Sequence, residues 1–398
     1  MKKRIIAMAL CLVFVLTMLV SCGDDYYDMA KDYINQNELR PAEPNVTLNM
    51  YIPCESEIDS ITLSSMQSEF NYITEAKYKT RVIFHMIPKA EYLEKITAQA
   101  NYASEHALDE LDKTPASVND NYPRENDIQF DIFVSLNKSM MDSMIGAGYV
   151  TDLTQEMTST YNQKLFNLND SSSVSDIIYQ NATWTVNKQV DGDTAKETVY
   201  YGVPSNFVIG EYTYYVINKA NADAHYFSKD ETVSIETRVT KLEEAIDKNT
   251  QIENKDDYKA ETVKTITGDY GTRFEIDANS YYVYVKQTPV LDISRLYEGM
   301  FCISSMCRYK DRAMSVIAEL FTNKDLHTTL QYGSENLTYR YTLVDGVKTV
   351  ELIDGAPAYN IDAKYTGNVA VLHPCPEKGY GNNFVEYLDK QNKETMIP

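Results

Sequence analysis

From residue 46 onward, apolar positions recur first with a period near two and then with a period near 3.6. Val46-Thr-Leu-Asn-Met-Tyr-Ile52 alternates and is rich in β-formers, which predicts a strand running out at Pro53-Cys54-Glu55-Ser56. Ile58, Ile61, Leu63, Met66, Phe70 and Ile73 then form an apolar helical stripe, with Ser56 as the expected cap and Asp59 as its capping-box partner. Thr80 to His85 reads as a second strand and Lys89 to Ala107 as a second helix. The opening pattern is therefore β-α-β-α, the signature of a doubly wound α/β lobe. A polar, turn-rich insertion covers 108–127. Phe130 to Ser135 predicts a third strand that leads into the loop Leu136-Asn137-Lys138-Ser139.

Beyond that point the elements are sparser. Trp184 to Val190 and Glu197 to Val203 flank Asp191-Gly192 as a predicted hairpin. Gly210 to Asn218 reads as a strand, 228–266 as mostly helical, and Tyr281 to Gln287 and Met300 to Ser304 as strands. Asp311 to Leu320 reads as a helix capped by Asp311.

The first 21 residues have a different organisation. Lys2, Lys3 and Arg4 precede an apolar run from Ile5 to Val20, and Leu19-Val20-Ser21-Cys22 closes it. This reads as a secretory signal, since its run of about 16 residues falls short of the roughly 20 that span a bilayer. An uncleaved anchor helix and an ordinary signal peptide with an incidental cysteine are the competing readings. The L-x-[small]-C ending resembles a lipobox, which implies cleavage before Cys22 and acylation of its thiol. Residues 22–45 carry Pro41 and Pro44 without hydrophobic periodicity and read as a tether.

Charge narrows the function. The chain carries 37 basic and 58 acidic residues, a net charge of −21, and removal of the signal takes three basic residues and no acidic ones. So acidic a chain does not recruit nucleic acid through charge. About 350 residues beyond the tether exceed a single core and predict two lobes. Cys54, Cys302, Cys307 and Cys375 lack any C-x-x-C spacing and are expected as buried thiols. The five histidines lie far apart, so no metal site and no cofactor is expected. No nucleophile elbow, P-loop, dinucleotide fingerprint or H-E-x-x-H occurs, and the chain reads as a non-enzyme. Tyrosine is abundant, with 32 residues against one tryptophan.

Several segments, in order, resemble bacterial extracellular solute-binding proteins, the lipoprotein receptors of carbohydrate-type ABC importers. They are the strand Val46–Ile52 into Pro53-Cys54-Glu55-Ser56, then Phe130-Asp-Ile-Phe-Val-Ser135 followed by Ala147-Gly-Tyr-Val-Thr-Asp-Leu153. Tyr201-Gly-Val-Pro204 follows, leading into Tyr214-Tyr-Val-Ile-Asn-Lys219. Glu298-Gly-Met-Phe-Cys-Ile-Ser304, Phe321-Thr-Asn-Lys-Asp325, Gln331-Tyr-Gly333 and Tyr365-Thr-Gly-Asn368 complete the set. The resemblance implies an α/β, two-lobe periplasmic-binding-protein-like fold of type II, with a hinge and a ligand cleft between the lobes. It places 46–212 and 281–322 in the first lobe, and 213–280 and 323–398 in the second. The second lobe is reduced, since only about 50 residues separate Lys219 from Gly268 where relatives carry more. The implied partners are a small solute, most simply a sugar, and ABC permease subunits, with the lipid anchor holding the protein on the outer face of the cytoplasmic membrane. A surface lipoprotein of the same fold serving as a sensor partner or adhesin is the alternative.

The ligand-site candidates follow from strand ends. Glu55 and Ser56 follow the first strand, and Asn137 and Lys138 the third, where loops converge on a cleft. Asn206 follows Tyr-Gly-Val-Pro, and Tyr212 and Tyr214 share one face of the hinge strand; for these, turn formation and core packing are the competing readings. Glu298, beside Gly299, is a turn residue or an acceptor for ligand hydroxyls. Trp184 is expected in the hairpin or core rather than as a stacking platform.

Overall fold

All nine residues of β1 (Val46–Cys54) are buried, because this strand is covered on both faces and on both edges. The computed structural model describes residues 44–106, 128–158, 176–190, 193–224, 227 and 232–398. The signal, Cys22 and nearly all of the tether lie outside these residues. Val46–Pro398 forms one compact unit.

After β1 come α1 (Ser60–Tyr78), β2 (Thr80–Pro88), α2 (Lys89–Glu105), β3 (Ile132–Val134) and α3 (Lys138–Gly146). Asp59, not Ser56, caps α1: one of its carboxylate oxygens accepts from the Ile61 and Thr62 N–H groups, both at 3.0 Å. The hairpin β4 (Trp184–Val190) and β5 (Asp193–Val199) begins its return strand four residues earlier than its sequence suggests. Next stand β6 (Tyr212–Asn218), α4 (Ile235–Lys248), α5 (Lys255–Thr262), β7 (Val263–Gly268) and β8 (Tyr281–Gln287). The last stretch of the segment expected to be helical is thus a strand, drawn into extended form by pairing with β6. Then come β9 (Phe301–Ile303), α6 (Lys310–Thr322), α7 (Lys324–Tyr332), β10 (Tyr339–Val344), β11 (Val347–Leu352) and α8 (Phe384–Glu394). Asp311 lies inside the first turn of α6, whose cap position is Tyr309.

The first sheet has the order β2-β1-β3-β9, parallel throughout except for β9. Its core joins Leu48, Phe70, Ile96 and Phe133 to Val316, Leu326 and Leu330. Tyr92 ties α2 across two strands, donating to the Tyr51 carbonyl at 2.9 Å and accepting from Val134 N–H at 3.0 Å. The second sheet is antiparallel, in the order β7-β6-β8. β8 pairs with β6, so 281–287 belongs to the second sheet, while Leu326 and Leu330 of α7 pack into the first core.

Two segments connect the sheets side by side. Asp292 N–H donates to the Ile209 carbonyl at 3.2 Å, and a Cβ on Gly210 would meet the Val290 carbonyl oxygen at 2.7 Å. The end of the chain runs along them, with Leu291 N–H on the Met396 carbonyl and Met396 N–H on the Pro289 carbonyl, both at 2.8 Å. Cys54, Cys302, Cys307 and Cys375 are buried free thiols. Among the described residues, no helix is long and apolar enough to cross a membrane, and no His/Cys/Asp/Glu group is placed to hold a metal ion.

Candidate functional site

The three parallel strands end on one edge, and the side chains just beyond them are polar. Glu55 and Ser56 follow β1, Lys89 follows β2, and Asn137 and Lys138 lie three and four residues past β3. Because β9 runs antiparallel to β3, with Val134 opposite Phe301, the turn before β9 arrives at the same edge and delivers Tyr297 and Glu298. Ser135 fastens that turn: its hydroxyl donates to the Tyr297 carbonyl at 2.5 Å and accepts from Met300 N–H at 3.0 Å.

Tyr365 stands at the centre. Its ring is 1% exposed, with the Lys89 ammonium 5.5 Å and the Lys364 ammonium 5.3 Å from the ring centroid. Lys364 pairs with Glu298 at 2.7 Å and reaches Asp362 at 3.6 Å. Burial, and then the carboxylates of Glu298, Asp362 and Glu55, push the Tyr365 phenol well above its usual range, so it stays a neutral hydroxyl. That hydroxyl has no hydrogen-bond partner among the described residues. Lys89 breaks a local rule: it opens α2, at the positive end of the helix dipole, and Pro88 supplies no side-chain cap. It forms no ion pair among the described residues.

The other wing is a tryptophan shelf. Lys138 sits 2.7 and 2.8 Å from the two Asp142 oxygens, and Trp184 Nε1 donates to Asp142 at 2.9 Å. The Lys138 ammonium lies 5.9 Å from the Trp184 ring centroid and 5.3 Å from that of Tyr297. Tyr297 and Tyr201 meet Trp184 edge-on, at 4.9 and 5.6 Å. Trp184 thus opens the β4–β5 hairpin as expected, half-buried and packed against the first core. Asn137 caps α3, accepting from Met140 N–H at 2.9 Å.

A cavity of about 310 Å³ adjoins the edge, lined among others by Tyr332, Tyr359, Asn360, Asp362, Lys378 and Tyr380. Glu55 N–H donates to the Asn360 carbonyl at 3.1 Å, and Asp362 belongs to both compartments. Burial, then Asp362, the Cys375 thiol and Asp269, raise the Tyr380 phenol to about 12. Asp269 follows β7, so the end of the second sheet lies within electrostatic reach of the cavity.

Of the residues expected at the site, Glu55, Ser56, Asn137, Lys138 and Glu298 come together on this edge. Asn206, Tyr212 and Tyr214 do not. Asn206 is 2% exposed and its amide donates to Asn368 at 2.9 Å, which pins a connecting segment to the 367–369 turn. Tyr212 and Tyr214 are 1% and 0% exposed and stack on each other at 5.5 Å. Their hydroxyls are spent on Glu394 and on the Asp269 carbonyl. They form the core under the second sheet, while Tyr215 packs on its opposite face. Sequence reasoning missed Lys89, Asp362 and Tyr365. Lys89 had a signal, a lysine in the first turn after a proline; the other two reach the edge only through long-range packing.

No protein-family model and no curated protein matches the sequence. Solved structures do. The N-glycan transport solute binding protein (NgtS) from Streptococcus pneumoniae matches with a TM-score of 0.53 at 14% identity, over 89% of this chain and 84% of that one. The same protein in complex with Man5GlcNAc matches with a TM-score of 0.50 at 14% identity, over 89% and 83%. The resemblance drawn from the sequence is borne out at the level of architecture: the chain has the periplasmic-binding-protein-like fold of extracellular solute-binding proteins.

Proposed function

We propose that the protein captures a small polyhydroxylated solute, a sugar or oligosaccharide, at the carboxyl edge of its first sheet and passes it to an ABC importer without altering it. The observation that carries this reading is the Tyr365 hydroxyl, without a hydrogen-bond partner among the described residues and set amid Glu55, Glu298, Asp362 and two lysines. Carboxylates accept from sugar hydroxyls, lysines donate to them, and the faces of tyrosine and tryptophan take the apolar side of a pyranose. A cavity of about 310 Å³ is at the lower end of ligand-pocket sizes. That the structurally similar NgtS is a glycan-transport protein supports the same ligand class.

The paired connections at 206–211 and 288–292 act as the hinge, and closure brings the 269–274 loop toward the edge. Lobe one comprises the first sheet with α1, α2, α6 and α7, and lobe two the second sheet with α4 and α5. Cys22 carries the lipid that holds the mature protein on the outer face of the membrane beside its permease.

A thermal-shift screen of the mature protein against saccharides tests the reading, since a ligand at 100 times its Kd stabilises by about 2.7 kcal/mol. A full panel of mono- and oligosaccharides without any shift contradicts it. Fatty-acid labelling tests the anchor: the label is lost in Cys22→Ala, and a variant that is still labelled overturns the assignment.

A further inference from the structure

In a chain with 58 acidic residues against 37 basic ones, a surface arginine ordinarily finds a carboxylate. Arg81, Arg295 and Arg340 each do, on Glu75, Glu211 and Glu351. Arg273 does not. It lies in the short helix Thr272–Glu275 that follows Asp269, and its guanidinium nests in the corner between two rings, 4.0 Å from the Tyr270 centroid and 4.5 Å from that of Phe274. One terminal nitrogen donates to the Tyr270 hydroxyl, and among the described residues neither the buried Nε nor the other terminal nitrogen has an acceptor. The rings hold the cation in place, and among the described residues no carboxylate forms an ion pair with it.

The surroundings suit a charged ring rather than a bare ion. Phe274 is 57% exposed and stacks on Tyr387 at 5.4 Å with 21° between planes, offering an open aromatic face. The Lys390 ammonium lies 4.7 Å from the Tyr270 centroid and supplies a second positive charge; its one carboxylate neighbour is Glu394 at 3.7 Å. Asp269 itself caps this turn through Thr272 N–H at 2.9 Å, which spends its carboxylate locally. The shelf lies just beyond the end of β7.

We infer that Arg273, Lys390, Phe274 and Tyr387 form a recognition shelf for a carboxylated sugar, a uronate unit whose ring lies on Phe274 and whose carboxylate takes the free edge of Arg273. The inference rests on the saccharide-capture reading above and narrows it to acidic saccharides. Guanidinium and carboxylate are geometrically matched for paired, charge-assisted hydrogen bonds, and an exposed aromatic face adds stacking without further charge.

The test compares binding of uronate oligosaccharides with their neutral counterparts, galacturonate against galactose oligomers and glucuronate against glucose oligomers, by calorimetry on the mature protein. Arg273→Gln and Phe274→Ala alter side chains in a surface turn, and melting curves verify that both fold. The shelf predicts tighter binding of a uronate oligomer than of its neutral partner, weakening as salt rises. In Arg273→Gln the uronate should lose about tenfold in affinity while the neutral oligomer is unchanged. Phe274→Ala should weaken both. Neutral oligomers that bind as tightly as uronates, or an Arg273→Gln variant that weakens both equally, overturn the shelf and leave saccharide capture standing. No binding of either class overturns both.

Discussion

A Cβ built on Gly299 would lie 1.8 Å from the carbonyl oxygen of Lys364, and the backbone there has φ +73°. Only glycine permits this approach, in sterics and in torsion alike. The contact presses the 297–300 turn against the 362–365 segment and so sets Glu298 beside Lys364 at the strand edge. The Glu298–Lys364 pair is therefore made by two chain segments some 65 residues apart in sequence, meeting over one hydrogen atom.

Gly299→Ala is accordingly expected to lower stability by about 2–4 kcal/mol, because backbone must shift and a left-handed torsion becomes strained. Urea unfolding measures it. A loss below about 0.5 kcal/mol would show that the turn relaxes freely and that the assembly of the edge does not depend on it.

Tyr212 and Tyr214 separate core from site. As stacked and buried rings they should each cost about 3–5 kcal/mol on truncation to alanine. The fraction of Tyr214→Ala that remains folded should bind solute with unchanged affinity. Reduced affinity at wild-type stability would return these residues to the ligand.

Asp131 makes stability pH-dependent. It is buried before β3, where it accepts from Asn49 N–H at 2.8 Å, and burial raises its carboxyl to about 6 despite that bond and one from Cys307. An unfolded aspartate titrates near 3.9, so the folded state holds this proton more tightly. Its stabilisation is complete below about pH 4 and fades as pH rises through 6, for a total of roughly 3 kcal/mol. Asp131→Asn keeps an acceptor and removes the charge. Unfolding free energies at pH 5 and pH 8 should differ less in this variant than in the wild type, and an equal difference would mean that other groups carry the pH dependence.

How much of this was legible in the sequence divides along the range of the interactions. The β-α-β-α opening reads directly because β1, α1, β2 and α2 pair and pack with sequence neighbours, and their periodicities are local. The strand-end rule likewise found Glu55, Ser56, Asn137, Lys138 and Glu298 at one edge. It failed where alternation says which residues share a face but not which way the face points. Tyr212 and Tyr214 do lie together, over the core. The charged composition of 228–266 reads as helical, and only pairing with β6 makes Val263–Gly268 a strand. The hairpin of β10 and β11 had a signal that went unread, Asp345-Gly346, both with positive φ as a two-residue turn requires. Tyr365 had none: its place depends on a turn 66 residues earlier in the chain.

The central claim is that solute binds at the strand edge around Tyr365. Trp184 is the only tryptophan and sits on that edge, so its emission reports on the site alone. The decisive measurement is a titration of the wild type and Tyr365→Phe with whichever saccharide stabilises the protein most, followed by Trp184 fluorescence. The account predicts a saturable change in the wild type and an affinity about 2- to 10-fold weaker in Tyr365→Phe, the range for one lost hydrogen bond. The melting temperature of the unliganded variant should match the wild type, because the hydroxyl has no hydrogen-bond partner among the described residues. Undiminished affinity in Tyr365→Phe, with tryptophan emission unmoved while calorimetry records binding, would place the solute elsewhere and contradict the account.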